Sequence, residues 1–96
     1  MPEREFEWDE DKAAANEAKH GISFAQGAAV FGDVLRVDEA DLRYPDEERR
    51  RYVIGFSEGR MLHVAYVERG VRTRLISARK ATAAERMKYA RQNDIV

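Results

Sequence analysis

The sequence predicts an α+β domain with two N-terminal helices, a three- or four-stranded antiparallel sheet and a C-terminal helix. Three observations carry this. Helix-start and helix-stop signals crowd the first third of the chain. At Arg49 the apolar period changes from helical to alternating, and a further helix-start signal, Thr82 to Glu85, follows the last alternating run. Ninety-six residues with 44% apolar content are enough for one compact domain and leave no room for a second core.

Phe6, Glu7 and Trp8 read as a short extended lead-in. Asp9 can cap a helix over about residues 10 to 20, with Glu10 and Asp11 in its first turn, Lys19 and His20 in its last, and Gly21 as the left-handed stop. Its apolar face is mainly alanine (Ala14, Ala15, Ala18), and Asn16 reads as a surface amide or a satisfied structural hydrogen bond. Ser23 and Gln26 form a capping box for a second helix, about 24 to 31, whose Phe24, Ala28 and Phe31 share a face. Val34 to Val37 fits a short edge strand, and the acid-rich stretch from Asp38 to Glu48 a solvated loop. Tyr52, Ile54 and Phe56 then line one strand face. Leu62, Val64 and Tyr66 line the next, with His63 and Ala65 opposite. Turns at Ser57 to Arg60 and Glu68 to Gly70 make a meander whose third strand is Val71 to Ser77. The last helix covers about 83 to 92, with Ala83, Met87 and Ala90 on its buried face.

The net charge of −1 conceals a division. Residues 1 to 48 hold 5 Lys and Arg against 14 Asp and Glu, whereas residues 49 to 96 hold 12 against 4. Either the second half presents a basic working face to a polyanion, or the two halves neutralise each other within the fold. Of the cations 13 are Arg and 4 Lys, a bias toward bidentate contact with phosphate or carboxylate. The absence of cysteine excludes disulfides and thiolate metal sites, and two histidines are a poor metal set, so neither a metal nor another cofactor is expected. No apolar run is long enough to span a bilayer and no signal peptide is evident; a cytoplasmic protein is expected.

The stretch Ile76-Ser77-Ala78-Arg79-Lys80-Ala81-Thr82 concentrates these signals. A strand gives way to two cations, and a capping box from Thr82 to Glu85 starts the last helix. The cations are thereby held on a short junction suited to an anion such as phosphate. Other proton-transfer groups and cations that suit phosphodiester chemistry are Arg50, Arg60, Glu68, Arg69, Arg74, Tyr66, Tyr89 and His20. Singly, each also has an ordinary reading. Glu68 and Arg69 suit a surface ion pair, Arg60 a turn, Arg74 a solvated strand face, Tyr66 the core, and Tyr89 a half-buried ring with a free hydroxyl.

Several blocks in order resemble one family: Phe6-x-Trp8-Asp9, Lys12-Ala13, Asn16 and Lys19 to Phe24; Glu48, Arg50 and Ile54 to Ser57; Glu68-Arg69; Ile76 to Thr82; and Glu85-Arg86 with Tyr89. The chain resembles the BrnT toxins of bacterial toxin–antitoxin pairs over nearly its whole length. The resemblance implies a RelE-like fold and an RNA-cleaving activity that arrests translation. It also implies a BrnA-like antitoxin with a ribbon-helix-helix DNA-binding domain, so that operator DNA is met only through the antitoxin. By matching position it implies Arg50, Glu68, Arg69 and Arg79 as catalytic candidates, with His20 and Tyr89 beside them, and Lys80, Arg74 and Arg60 are assigned to RNA binding. Arg49 and Arg51 flank Arg50 and blur which arginine holds that place, and Gly27 departs as a poor helix former. A heterotetramer of two toxins and two antitoxins is expected. The competing reading is a nucleic-acid- or protein-binding module without catalysis, since no dedicated base or nucleophile stands out.

Overall fold

A computed structural model describes residues 4–95. The helices begin and end where their signals stand. Helix α1 (Glu10–His20) is capped by the Asp9 side chain, which accepts from the Lys12 amide, and it stops at Gly21 in the left-handed conformation, φ 70°. Helix α2 (Phe24–Ala29) carries the full Ser23/Gln26 capping box and tightens into a 3-10 turn over Val30–Gly32. The last helix, α3 (Ala83–Gln92), carries the Thr82/Glu85 box.

The sheet is larger than the sequence implies. It has five strands, β1 (Glu5–Glu7), β2 (Val37–Ala40), β3 (Arg50–Ser57), β4 (Arg60–Arg69) and β5 (Arg72–Lys80), in the order β1-β5-β4-β3-β2. Strands β2 to β5 are antiparallel. The lead-in β1 runs parallel to β5, Phe6 opposite Thr73, so the sheet is mixed. The expected edge strand exists, but its centre lies after Val37 rather than before it, with Asp38 opposite Val53. Strand β5 runs three residues past the expected end at Ser77, which places Arg79 and Lys80 inside the strand and leaves only Ala81 and Thr82 as the junction.

One irregularity in β5 positions the site. Arg69 to Tyr66 pair regularly with Arg72 to Leu75, but Ala65 pairs with Ser77, so Ile76 is an extra, bulged residue. Without it His63 would stand opposite Ala78, and Arg79 would point into the helical layer. With it, Ala78 is buried in the core, and Arg79 faces His63 on the other side of the sheet.

Helices α1 and α2 cover the first face of the sheet. The main core lies there, formed by Ile22, Phe24, Val30, Val53, Leu62, Val64, Tyr66, Leu75 and Ala78. A fully buried side chain such as Ile22 or Leu62 contributes roughly 1.5–3 kcal/mol. The buried side of α1 is Ala13 and Asn16 rather than Ala14, Ala15 and Ala18, which are exposed. The Asn16 amide donates to the carbonyls of Ile22 (3.0 Å) and Ala78 (2.8 Å), and its oxygen accepts from the Ala78 amide (3.1 Å). It thus satisfies β5 where β1, which pairs only with Arg72–Arg74, no longer reaches. On the second face a smaller cluster of Val37, Ile54, Met61 and Tyr89 seats α3 against β2 and β3. Helix α3 packs through Tyr89. Met87 is 43% exposed, contrary to the expected Ala83, Met87 and Ala90 face. Because α3 is short, the second face stays open beside it, over β4 and β5.

Candidate active site

The open part of the second face is a cleft between α3, the sheet and the segment after β2. It consists of two adjoining hollows, the larger about 530 Å³, and Asp41, Arg43, His63 and Arg79 line both. Tyr52, Glu85 and Lys88 complete the larger hollow. Tyr44, Arg50 and Ser77 border the smaller, whose floor is Ala65.

His63 sits at the centre. Strand alternation turns it away from Leu62 and Val64, yet it is only 6% exposed, because Tyr52 stacks on its ring at 5.2 Å and 15° and α3 covers its edge. Among the described residues neither ring nitrogen has a hydrogen-bond partner. Nδ1 is buried without one, and Nε2 lies 3.7 Å from Glu85 Oε2. Burial pushes the imidazole pKa below its ordinary 6.5, against the opposing pull of Glu85, which favours the uncharged ring that can accept a proton.

Arg79 stands beside it. Its Nη1 and Nη2 donate to Glu85 Oε1 (2.8 Å) and Oε2 (2.9 Å), and Nη1 also donates to the Lys80 carbonyl. The Glu85 hydrogen bond raises the Arg79 pKa. Burial alone would raise the Glu85 carboxyl, but the Arg79 fork and the Thr82 amide hold it down to about 2. One carboxylate therefore closes the capping box of α3 and fixes the guanidinium of β5. Amides at the helix start are taken up by the same box: Thr82 N–H donates to Glu85 and Glu85 N–H to the Thr82 hydroxyl.

Arg50 and Arg43 approach from the other side. Arg50 lies over the Tyr44 ring, 4.7 Å from its centroid, with Nε 3.6 Å from Glu48 Oε1. Arg43 is gripped by Asp41, whose carboxylate accepts from its Nε (3.0 Å), its Nη2 (2.8 Å) and its backbone amide (3.1 Å). Asp41 is only 8% exposed, and its own amide donates to the Arg50 carbonyl, so the presumed solvated loop is anchored to β3. The three arginines at positions 49 to 51 separate by role. Arg51 turns to the helical side and donates to the Tyr66 hydroxyl and Asp38, Arg49 stands exposed in a left-handed turn (φ 52°), and Arg50 enters the cleft. Three guanidinium groups around a buried imidazole place cations and a group able to accept a proton on one surface, an arrangement whose chemistry suits a phosphodiester.

Residues 8–85 match the model of a family described as ribonuclease toxin, BrnT, of type II toxin-antitoxin system. The chain belongs to the BrnT family. No curated protein matches it significantly.

Of the residues expected from sequence, this BrnT chain brings Arg50 and Arg79 together in the cleft around His63, while Glu68 shares a separate hollow with Arg50 and not with Arg79. Glu68 lies five residues along β4 from His63, about 17 Å at the usual strand rise. It is bound by Arg4 Nη1 (3.0 Å) and the Thr73 hydroxyl. Arg69 is one residue further and faces Glu7 (3.7 Å), while Arg74 donates to the same carboxylate (3.1 Å). His20 ends α1 in the helical layer and lines neither hollow. Tyr89 is not half buried with a free hydroxyl. It is 3% exposed, its hydroxyl donates to Asp33 (2.8 Å), and burial with that carboxylate pushes its pKa up to about 12. Lys80 and Arg60 are exposed at adjacent ends of β5 and β4. The sequence does not single out His63, which it places only on the face opposite Leu62 and Val64. The available signal was its position across the hairpin from Arg79, which depends on the bulge.

Proposed function

We propose that this BrnT toxin is a metal-independent endoribonuclease whose active site is the His63–Arg79–Arg50 cleft. The observation that carries this reading is the buried His63 facing the cleft between Arg79 and Arg50. His63 accepts the proton of a ribose 2′-hydroxyl, whose oxygen attacks the adjacent phosphorus. The bond to the 5′-oxygen breaks, that oxygen takes a proton from water, and the products are a 2′,3′-cyclic phosphate and a 5′-hydroxyl. Arg79 and Arg50 stabilise the charge that builds on the non-bridging oxygens, with Arg43 at the rim. Tyr52 and Glu85 position the imidazole. Donor chemistry supports independence from metal, since the carboxylates lining the cleft, Glu39, Asp41 and Glu85, are already engaged by Lys88, Arg43 and Arg79.

In the cell the protein acts in the cytoplasm, arrests translation, and is silenced by a BrnA-like antitoxin with a ribbon-helix-helix domain. That dimer presents its docking surface twice, giving a complex of two toxins and two antitoxins. The mass of the co-expressed complex checks this, and a 1:1 assembly contradicts it. The chemistry is tested by incubating purified protein with RNA in EDTA and analysing the ends. Cyclic phosphate and 5′-hydroxyl ends are expected. Ends bearing 5′-phosphate, or activity lost on chelation, contradict the mechanism, and RNA retained without cleavage supports a binding module instead.

A further inference from the structure

The bulge at Ile76 affects more than Arg79. In a regular strand Arg74 and Arg79, five residues apart, face opposite ways, but the extra residue puts both on the open face, and Arg72 shares that side with Arg74. The open face of β4 and β5 therefore carries a second cationic group at their hairpin end.

There Glu7 of β1, opposite Arg74 in register, collects three guanidinium groups. Arg74 Nη1 lies 3.1 Å from its carboxylate, Arg72 Nη1 3.5 Å and Arg69 Nη1 3.7 Å. The Arg74 hydrogen bond, against a smaller opposing effect of burial, holds the Glu7 carboxyl below its usual range. Glu7 and Glu68 border a hollow with Arg49, Arg69 and Arg72, and Arg74 reaches Glu7, so guanidinium groups outnumber carboxylates there by four to two. The Arg69 and Arg72 side chains are 61% and 60% exposed, so these pairs add little to stability. Planar forks held together by a shared carboxylate are instead well placed to take the oxygens of a phosphate.

We propose that Arg69 and Arg72 form a second phosphate subsite for the RNA strand. With the scissile phosphate at Arg79 and Arg50, the strand runs along the open face of β4 and β5 and lays a backbone phosphate on this cluster. The inference rests on the His63 cleft being the cleavage site. Six residues of β4 separate His63 from Arg69, about 20 Å, too far for a dinucleotide but within reach of an oligonucleotide of about ten residues.

The test compares wild type with Arg72→Gln, which leaves the Arg74–Glu7 hydrogen bond in place. Steady-state constants are measured on a ribodinucleotide and on an RNA of about ten residues. Binding of a 2′-O-methyl oligonucleotide of the same length is followed against salt concentration. On the long RNA, KM should rise several-fold with kcat unchanged, while the dinucleotide constants stay at wild-type values. The plot of log affinity against log salt should become shallower by about 0.7, one single-strand phosphate contact. Wild-type KM on the long RNA, or a loss that falls equally on the dinucleotide, overturns the subsite. If wild type cleaves neither RNA, the cleavage reading fails, and the salt slope alone decides the subsite, an unchanged slope overturning it.

Discussion

Arg79 shows how one side chain serves two purposes. Its guanidinium is spent on Glu85 in both of its forks, yet it borders both hollows of the cleft, so a phosphate arriving there meets a group already oriented. Arg79→Ala should lower kcat by roughly 10²–10³-fold, the scale of a lost oxyanion donor. It should also cost about 1 kcal/mol of stability, since Glu85 is left part-buried with only its cap amide. Adding Glu85→Gln removes the uncompensated carboxylate. The double variant should recover melting temperature and stay inactive, as measured by thermal denaturation and RNA turnover. Recovery of activity together with stability would assign Arg79 a structural role alone. Of these relations the sequence disclosed the capping box and the cation beside it. It did not disclose that the cap carboxylate and the guanidinium hold each other, because six residues separate them in sequence and only the turn at Ala81 and Thr82 brings them together.

At the scale of elements, the fit of α2 against the sheet explains a residue that seemed out of place. Gly27 lowers helix propensity, but a Cβ there would lie 3.0 Å from Ala78 Cβ and 3.5 Å from Val64 Cγ2. The glycine lets the helix lie close on β4 and β5, and the bulge turns Ala78 toward it. Gly27→Ala should therefore destabilise by about 1–3 kcal/mol through overpacking, although alanine is the better helix former. Chemical denaturation measures this, and a stabilised variant would show the helix free to retreat. Helix boundaries were legible because each cap is a local chemical signal. Strand β1 was legible only as an extended lead-in and not as part of the sheet, since three residues carry no usable period and its partner lies more than sixty residues away. The β5 bulge was hidden for a related reason: one inserted residue reverses which side chains face which layer and leaves no mark of its own in an alternating pattern.

Across the whole molecule the opposed charges of the two halves meet extensively. Glu7 faces Arg69, Arg72 and Arg74, Asp38 faces Arg51, and Glu39 faces Lys88, each a contact between the acidic and the basic half. These pairs bear out the reading of neutralisation within the fold, and even Arg50 and Arg79, which face the cleft, each have a carboxylate beside them, Glu48 and Glu85. This makes stability depend on pH. Hydrogen bonds from Lys88, Gln92 and Tyr52 lower Glu39 from 4.5 to about 2, and Glu85 falls over the same range. Groups whose folded pKa is depressed contribute stability that is complete above the unfolded value and lost as pH falls through the folded one. The melting temperature should thus hold above pH 4.5 and decline progressively toward pH 2, and Glu85→Gln should reduce that decline. An equally steep decline in the variant would place the acid sensitivity elsewhere.

The central claim, that the cleft centred on His63 carries out proton transfer, is tested most directly by the chain's two histidines. His63 is buried between Tyr52 and Glu85 in the cleft, and His20 ends α1 in the helical layer. The measurement is single-turnover cleavage of one RNA by folded His63→Asn and His20→Asn. His63→Asn should lose about 10²–10⁴-fold in rate, as for a missing general base, with His20→Asn close to wild type. Full activity in His63→Asn, or a collapse confined to His20→Asn, would contradict the account.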